Sequence, residues 1–283
     1  MSEELCGFRE ALKAFVQSVE TQSQEHIKPL HRHIAELLVI EGGFSPDDVA
    51  PRPPLRVETR GTGRGSRHRL VYDPEVGESG EQIVLGGLKT KQVDVVVSNK
   101  GIGPCLAVSV KGSLNAFRNL TNRMEEAAGD CTNIHMVYPA LVYGFLHVLR
   151  ANREEDVDSR NDIAILASGE IAAGITRYHE VLTRLTGRMD VREDVSRYEA
   201  VAIVLAETRN AGRGEVIPSF PAADGRLSLP RFFPRLCEIY DLRFVYSAPA
   251  LESRTRRLEW AADSPALRLA HDAGFVPRVA SSD

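Results

Sequence analysis

Long apolar segments are missing from this sequence. No run approaches the ~18–20 apolar residues that a membrane-spanning helix needs, so we expect no transmembrane segment. The opening residues, MSEELCGFRE, contain neither the basic region nor the apolar stretch of a secretory signal. These two absences predict a protein of the cytoplasm that does not interact with a membrane.

Cysteine is scarce. The 283 residues contain four cysteines, at positions 6, 105, 131 and 237. No CxxC pair occurs, and no cysteine and histidine stand at the spacing of zinc ligands. The sequence therefore disfavours both a disulfide-stabilised scaffold and a structural zinc site.

An excess of charge of one sign is also missing. The chain has 35 basic and 39 acidic residues, giving a net charge of -4, so composition alone does not predict a nucleic-acid partner. A balanced chain can nevertheless carry a local basic cleft. With 43% hydrophobic and 26% charged residues, the composition is that of a folded globular protein and excludes a disordered chain.

Apolar periodicity predicts helices at the start of the chain, and strands together with helices in the rest of it. Residues 4–41 predict two helices, and residues 44–67, rich in proline, glycine and arginine, predict a long loop. From residue 68, short runs rich in valine, isoleucine and leucine alternate with helical segments. We predict an α/β fold, a mixed β-sheet flanked by helices. Residues 1–60 would form a helical N-terminal region and residues 61–283 the core, with a single domain as the alternative.

The most informative stretch is 91–131, KQVDVVVSNKGIGPCLAVSVKGSLNAFRNLTNRMEEAAGDC. Asp94 lies inside one apolar run, and Ser109 and Lys111 share one face of the next, because side chains alternate along a strand. The turn between the runs predicts a hairpin that brings Asp94 next to Lys111. Glu125 and Glu126 follow on the next helix.

Phosphodiester hydrolysis uses residues of these types. Carboxylates hold Mg²⁺ through oxygen ligands, and the metal neutralises the scissile phosphate and lowers the pKa of a bound water. A nearby lysine orients that water or stabilises charge in the transition state. An acid flanked by four valines, as Asp94 is, is costly to bury without a partner or a metal. The plain alternatives are a strand-end acid for Asp94 and a solvated helix face for Glu125.

The arrangement of Asp94, Ser109 and Lys111 resembles the PD-(D/E)xK nuclease superfamily, which includes most type II restriction endonucleases. In the usual motif an acid stands two residues before the lysine, where this chain has Ser109. One group of restriction enzymes, those that read CCGG-containing sites and their relatives, carries Ser-x-Lys and relocates the second acid to the following helix. Glu125 stands at that relocated position, fourteen residues after Lys111, with Glu126 as the adjacent alternative.

The resemblance implies a restriction-endonuclease-like core and a set of site residues. Asp94 and Glu125 would be metal ligands, Lys111 the catalytic lysine and Ser109 a small supporting residue. Members often place one further acid on an N-terminal helix, where Glu36 is a candidate and Glu41 its competitor.

A DNA-reading surface is predicted on the helix after Lys111. Arginine can bond guanine, and asparagine adenine, through paired hydrogen bonds. The candidates are Arg118, Asn119, Asn122 and Arg123, and Arg64 in the arginine-rich GTGRGS loop is a candidate phosphate clamp. The alternative is an exposed helix surface and a plain flexible loop.

The sequence thus predicts a Mg²⁺-dependent type II restriction endonuclease that cuts double-stranded DNA and leaves a 5′-phosphate. A palindromic target would require a homodimer, because protein symmetry mirrors DNA symmetry. One alternative is a less specific nuclease of the same superfamily, acting in antiphage defence or repair. Another is a DNA-binding protein whose nuclease core has decayed, for which the missing acid at Ser109 is the main argument.

Overall fold

The structure, a computed structural model, describes residues 5–18, 25–61, 66–78, 80–115 and 117–281; the side chain of residue 118 is not among the features described. Of the predicted site residues, Arg64 lies outside this part of the chain, as does the side chain of Arg118. None of the helices in the described ranges combines the length and apolar character that crossing a membrane requires.

Seven α-helices and nine β-strands occur in the described residues. The helices are α1 (Phe8–Gln17), α2 (Lys28–Ile40), α3 (Leu120–His135), α4 (Ala173–Arg184), α5 (Leu229–Tyr240), α6 (Glu252–Thr255) and α7 (Ala266–Asp272). The strands are β1 (Val49–Ala50), β2 (Leu55–Arg60), β3 (Arg67–Tyr72), β4 (Gln82–Val84), β5 (Lys91–Val93), β6 (Val95–Asn99), β7 (Gly103–Ser113), β8 (Val142–Arg150) and β9 (Ala200–Ala206). The two predicted N-terminal helices are confirmed as α1 and α2.

The central sheet has five strands in the order β1-β6-β7-β8-β9. The pairs β1–β6 and β6–β7 are antiparallel, whereas β7–β8 and β8–β9 are parallel. Helix α3 makes the crossover between β7 and β8 that a parallel pair needs. The predicted α/β class with a mixed sheet flanked by helices is confirmed.

Hydrophobic side chains cover both faces of the sheet. On one face, α1, α2 and α5 pack their buried leucines, such as Leu12, Leu30 and Leu236, against Val95 and Val108. On the other face, α3 and α4 pack through residues that include Met124, Leu120 and Ile175, against Val96, Tyr143 and Phe145. Because both faces are covered, β8 and β9 are buried along almost their whole length and read as continuous apolar runs.

The predicted loop over residues 44–67 is wrong, because this segment contains β1 and β2. Strand β2 pairs with β3 from Leu55↔Tyr72 to Arg60↔Arg67. Its sequence, LRVETR, alternates apolar and charged residues instead of forming an apolar run, because the hairpin is half exposed. Cross-strand contacts such as Arg69–Glu58, at 3.3 Å, accompany the pairing. The predicted boundary between residues 60 and 61 falls at the end of β2, so it separates two strands that pair with each other.

Candidate metal centre

Asp94 lies between β5 and β6, one residue beyond the pair Val95↔Val108 of the β6–β7 hairpin. Its Oδ2 accepts hydrogen bonds from Ser109 Oγ at 2.9 Å and from the backbone N–H of Val110 at 2.7 Å. Two donors on one oxygen fix the orientation of the carboxylate, and the side chain remains 13% exposed. The hairpin therefore holds the Asp94 carboxylate through Oδ2, and its second oxygen, Oδ1, takes no part in these two hydrogen bonds.

His31 of α2 approaches that second oxygen. Its Nε2 lies 3.9 Å from Asp94 Oδ1, and the side chain is only 4% exposed. Among the described residues Nε2 has no hydrogen-bond partner, although it is buried. A buried polar atom without a partner is rare and calls for an explanation such as a bound ion. Burial lowers the pKa of His31, and the charges of Lys111 and Lys28 lower it further, whereas the charge of Asp94 opposes them. Because the ordinary pKa of histidine is already below 7, the ring is neutral near pH 7.

Glu81 completes a group of three. It stands just before β4, and its Oε1 lies 3.3 Å from Nδ1 of His31. One ligand atom from each of His31, Glu81 and Asp94 lies within 4.8 Å of the other two. Burial raises the pKa of Glu81 and the charge of Asp94 adds to this effect, whereas Lys111 opposes it. Two crowded, buried carboxylates are stabilised as anions by a cation between them.

The donor set fits a divalent metal ion. Carboxylate oxygens suit hard cations such as Mg²⁺ and Mn²⁺, and a neutral imidazole nitrogen suits transition-metal ions better than it suits Mg²⁺. The unpartnered Nε2 of His31 is then a ligand atom, and the hydrogen bonds to Asp94 are the outer contacts that orient a ligand. The group can therefore hold a metal ion, and its chemistry alone does not restrict that ion to Mg²⁺.

Lys111 of β7 stands beside this group. Its side chain is 32% exposed, and its charge acts on both His31 and Glu81. A narrow cleft of about 20 Å³, room for about one water molecule, opens next to it. The cleft is lined by Ser109, Lys111, Arg123, Glu126, Ala127, Asp130, Phe145, His147 and Tyr198. Ser109 and Lys111 thus share one face of β7, as the alternation predicted.

Neither of the two glutamates of α3, Glu125 and Glu126, belongs to the group of His31, Glu81 and Asp94. Glu126 points toward Lys111, with its Oε1 3.9 Å from Nζ. Glu125 is exposed and does not join the group around Asp94, where the second carboxylate comes from Glu81. The assignment of Glu125 as a metal ligand stays a prediction, and the geometry offers Glu81 instead.

The predicted DNA-reading residues on and next to α3 differ in whether they line the cleft. Arg123 is half-buried and lines the cleft, and its Nε has no hydrogen-bond partner among the described residues. Asn119 and Asn122 are exposed near the start of the helix. The structure therefore places Arg123, but neither asparagine, in the wall of the cleft beside Lys111.

Glu36 is on the same helix as His31 but is already partnered. Its Oε1 accepts from Arg32 Nε at 2.8 Å, and its Oε2 accepts from the backbone N–H of Cys6 at 2.6 Å. The side chain is fully buried, and burial raises its pKa despite the charge of Arg32. Helix α2 thus offers His31, and not Glu36, to the candidate metal centre.

Sequence reasoning missed His31 and Glu81. The three ligands are separated by 50 and 13 residues, and no local spacing connects them. A histidine within the apolar pattern of α2 was the one available signal, and it equally predicts a packed core residue. Comparison with family models, with curated proteins and with solved structures finds no match to this chain.

Proposed function

We propose that this protein is a metal-dependent nuclease that hydrolyses phosphodiester bonds of double-stranded DNA, as a type II restriction endonuclease does. The observation that carries the proposal is the buried group of His31, Glu81 and Asp94 with Lys111 next to it. A cation site beside a lysine on the rim of a cleft matches the needs of phosphate ester hydrolysis. The resemblance of Asp94, Ser109 and Lys111 to the PD-(D/E)xK motif supports the same reading.

His31, Glu81 and Asp94 would hold the cation. When bound, a divalent cation supplies positive charge that stabilises the developing negative charge of the scissile phosphate. Mg²⁺ is the cofactor that the resemblance implies, and the imidazole of His31 makes Mn²⁺ a second suitable ion. Ser109 and the Val110 amide keep the Asp94 carboxylate in place.

Lys111 would act on the substrate directly. Its ammonium group carries three donors and is partly exposed on the rim of the cleft. There it can position the attacking water and donate to a phosphate oxygen as charge develops. Arg123 would contact a phosphate at the same place, because its side chain lines the same cleft.

DNA would approach from the side of α3. The exposed Asn119 and Asn122 lie near the start of this helix, where they are available to base edges. A restriction enzyme that cuts both strands of a palindromic site would act as a homodimer. Cleavage would leave a 5′-phosphate, as the resemblance implies.

The test is incubation of the full chain with phage DNA in Mg²⁺, in Mn²⁺ and in EDTA. Asp94→Asn removes a ligand charge with little change in shape, and Lys111→Met removes the ammonium group. We expect either variant to lose at least ~10²-fold in cleavage rate. The matched controls are Asp272→Asn and Lys100→Met, which make the same two changes at exposed residues. Circular dichroism verifies that each variant is folded.

The products distinguish the alternatives. Discrete metal-dependent fragments, lost in both site variants and kept in both controls, support a sequence-specific endonuclease. A smear with the same dependence identifies a less specific nuclease of defence or repair. Intact DNA on several substrates, with binding that ignores the metal, rejects catalysis and leaves a DNA-binding protein.

A further inference from the structure

A cavity in the described part of the chain shares no residue with the candidate metal centre. It has a volume of about 530 Å³ and runs between one side of α5 and the start of β9, next to residues 186 and 187. It shares no lining residue with the cleft beside Lys111. Its volume falls within the range of small-molecule binding sites and suits a ligand the size of a nucleotide.

Four arginines line this cavity: Arg197, Arg226, Arg231 and Arg235. Such a concentration of positive charge departs from the rest of a chain whose net charge is -4. Among the described residues, three of the four form no ion pair with a carboxylate; the exception is Arg235, which pairs with Glu238 at 3.3 Å. The positive charge of Arg197, Arg226 and Arg231 is therefore not neutralised by an ion pair among the described residues, although Asp194 interacts with Arg197 at longer range.

The hydrogen bonds of these arginines leave donors free. Arg197 donates through Nη2 to the carbonyl of Thr186 at 2.6 Å, and its buried Nε has no partner. Arg231 donates through Nη1 to the carbonyl of Asp224 at 2.7 Å. These carbonyl contacts orient the two guanidinium groups without cancelling their charge, which prepares them to bind an anion.

The remaining acid in the wall does not compete for them. Glu199 is fully buried, and its Oε1 accepts from Arg188 at 2.7 Å and from Arg243 at 2.8 Å. Its Oε2 accepts from the backbone N–H of Tyr143 at 2.7 Å. Because Glu199 is satisfied by arginines outside the cavity, the charge that faces the cavity remains positive.

Part of the wall is apolar. Pro230 and Pro234 stand one helical turn apart on α5, and the buried Phe232 and Val201 also line the cavity. We propose that this cavity binds a phosphorylated small molecule of nucleotide size, with its phosphates at Arg197, Arg226 and Arg231 and its organic part against the prolines. The site is separate from the candidate metal centre and does not depend on nuclease activity.

The test is calorimetric titration of the full chain with ATP in the presence of EDTA, with adenosine and inorganic phosphate as comparisons. We expect saturable binding of ATP, weaker binding of phosphate and none of adenosine. Arg231→Gln should raise the Kd for ATP about tenfold or more, the effect of losing one charge-assisted contact. Arg268→Gln, the same change at an exposed arginine of α7, should leave the Kd unchanged.

Three results would overturn the proposal: no saturable binding of ATP, equal binding of adenosine, or equal effects of the two variants. A short DNA duplex is the last comparison. One outcome is that the duplex displaces ATP and that Arg231→Gln weakens the binding of the duplex as much as it weakens the binding of ATP. In that case the cavity belongs to a nucleic-acid surface, and the assignment to a small molecule is rejected. Since EDTA removes divalent cations, failure here is independent of failure of the nuclease proposal.

Discussion

Ser109 and Asp94 are joined across the β6–β7 hairpin by a hydrogen bond of 2.9 Å from Ser109 Oγ to Asp94 Oδ2. The N–H of Val110 donates to the same oxygen at 2.7 Å, which leaves Oδ1 facing His31. In the motif that this region resembles, the position of Ser109 is usually acidic. Here its hydroxyl orients the acid that remains, so the serine has a structural reason to be present beside a candidate metal ligand.

Replacing Ser109 by alanine should weaken the metal centre without unfolding the protein. The variant removes one of the two donors that orient Asp94, and loss of such an outer contact lowers metal affinity by about 10–100-fold. Titration with Mn²⁺ followed by calorimetry measures the change. Ser228→Ala is a matched control, because Ser228 is buried and its hydroxyl has no partner in the described chain. Equal metal affinity in both variants would contradict the role of Ser109.

The identity of the second acid can be decided by two charge-removing variants. Glu81→Gln should reduce metal affinity about tenfold or more, because its carboxylate belongs to the group around Asp94. Glu125→Gln should leave metal affinity unchanged, because Glu125 is exposed and outside that group. Mn²⁺ titration of the two variants makes the comparison. The reverse result would restore the relocated acid predicted by the resemblance.

The imidazole in the ligand set should favour Mn²⁺ over Mg²⁺. Nitrogen ligands bind the later divalent metals more tightly than they bind Mg²⁺, so we expect a Kd for Mn²⁺ that is about tenfold lower or more. His31→Asn should reduce this preference, and the shift in melting temperature on adding each ion reports it through linkage. Equal stabilisation by the two ions, unchanged in the variant, would remove His31 from the ligand set.

Acid should destabilise the fold through His147. This ring is 1% exposed, and its Nε2 shares a hydrogen bond of 3.1 Å with Ser113 Oγ. Burial, with Arg123 and Lys111 adding to it, lowers its pKa from 6.5 to about 3. As the pH falls below 6.5, the unfolded chain therefore takes up the proton first, and stability is lost progressively toward pH 3.

The His147→Gln variant tests this dependence. Between pH 7 and pH 4 the free energy of unfolding should fall by roughly 3 kcal/mol less than in the parent protein. Urea unfolding at each pH gives the values, and His271→Gln, at an exposed histidine, should follow the parent curve. A parent curve and a His147→Gln curve that run in parallel would show that His147 does not titrate on unfolding.

Local patterning was sufficient to predict much of the fold. The helices α1 and α2, the hairpin of β6 and β7 and the buried strands β8 and β9 follow from apolar periodicity and turn residues. The half-exposed strand β2 was missed, because it lies within a segment rich in proline, glycine and arginine, a composition that predicts a loop. Its pairing with β3 is a contact between segments that propensity alone does not reveal.

The sequence by itself determined that Ser109 and Lys111 share a strand face and that a short hairpin brings Asp94, just before β6, next to Ser109. These relations involve residues close together in the chain, where the two-residue period of a strand and the geometry of a turn decide the outcome. Only the tertiary structure decided that His31 and Glu81 complete the group around Asp94. Packing of α2 against the sheet and the position of the segment before β4 bring them there, and both depend on burying apolar surface between distant segments.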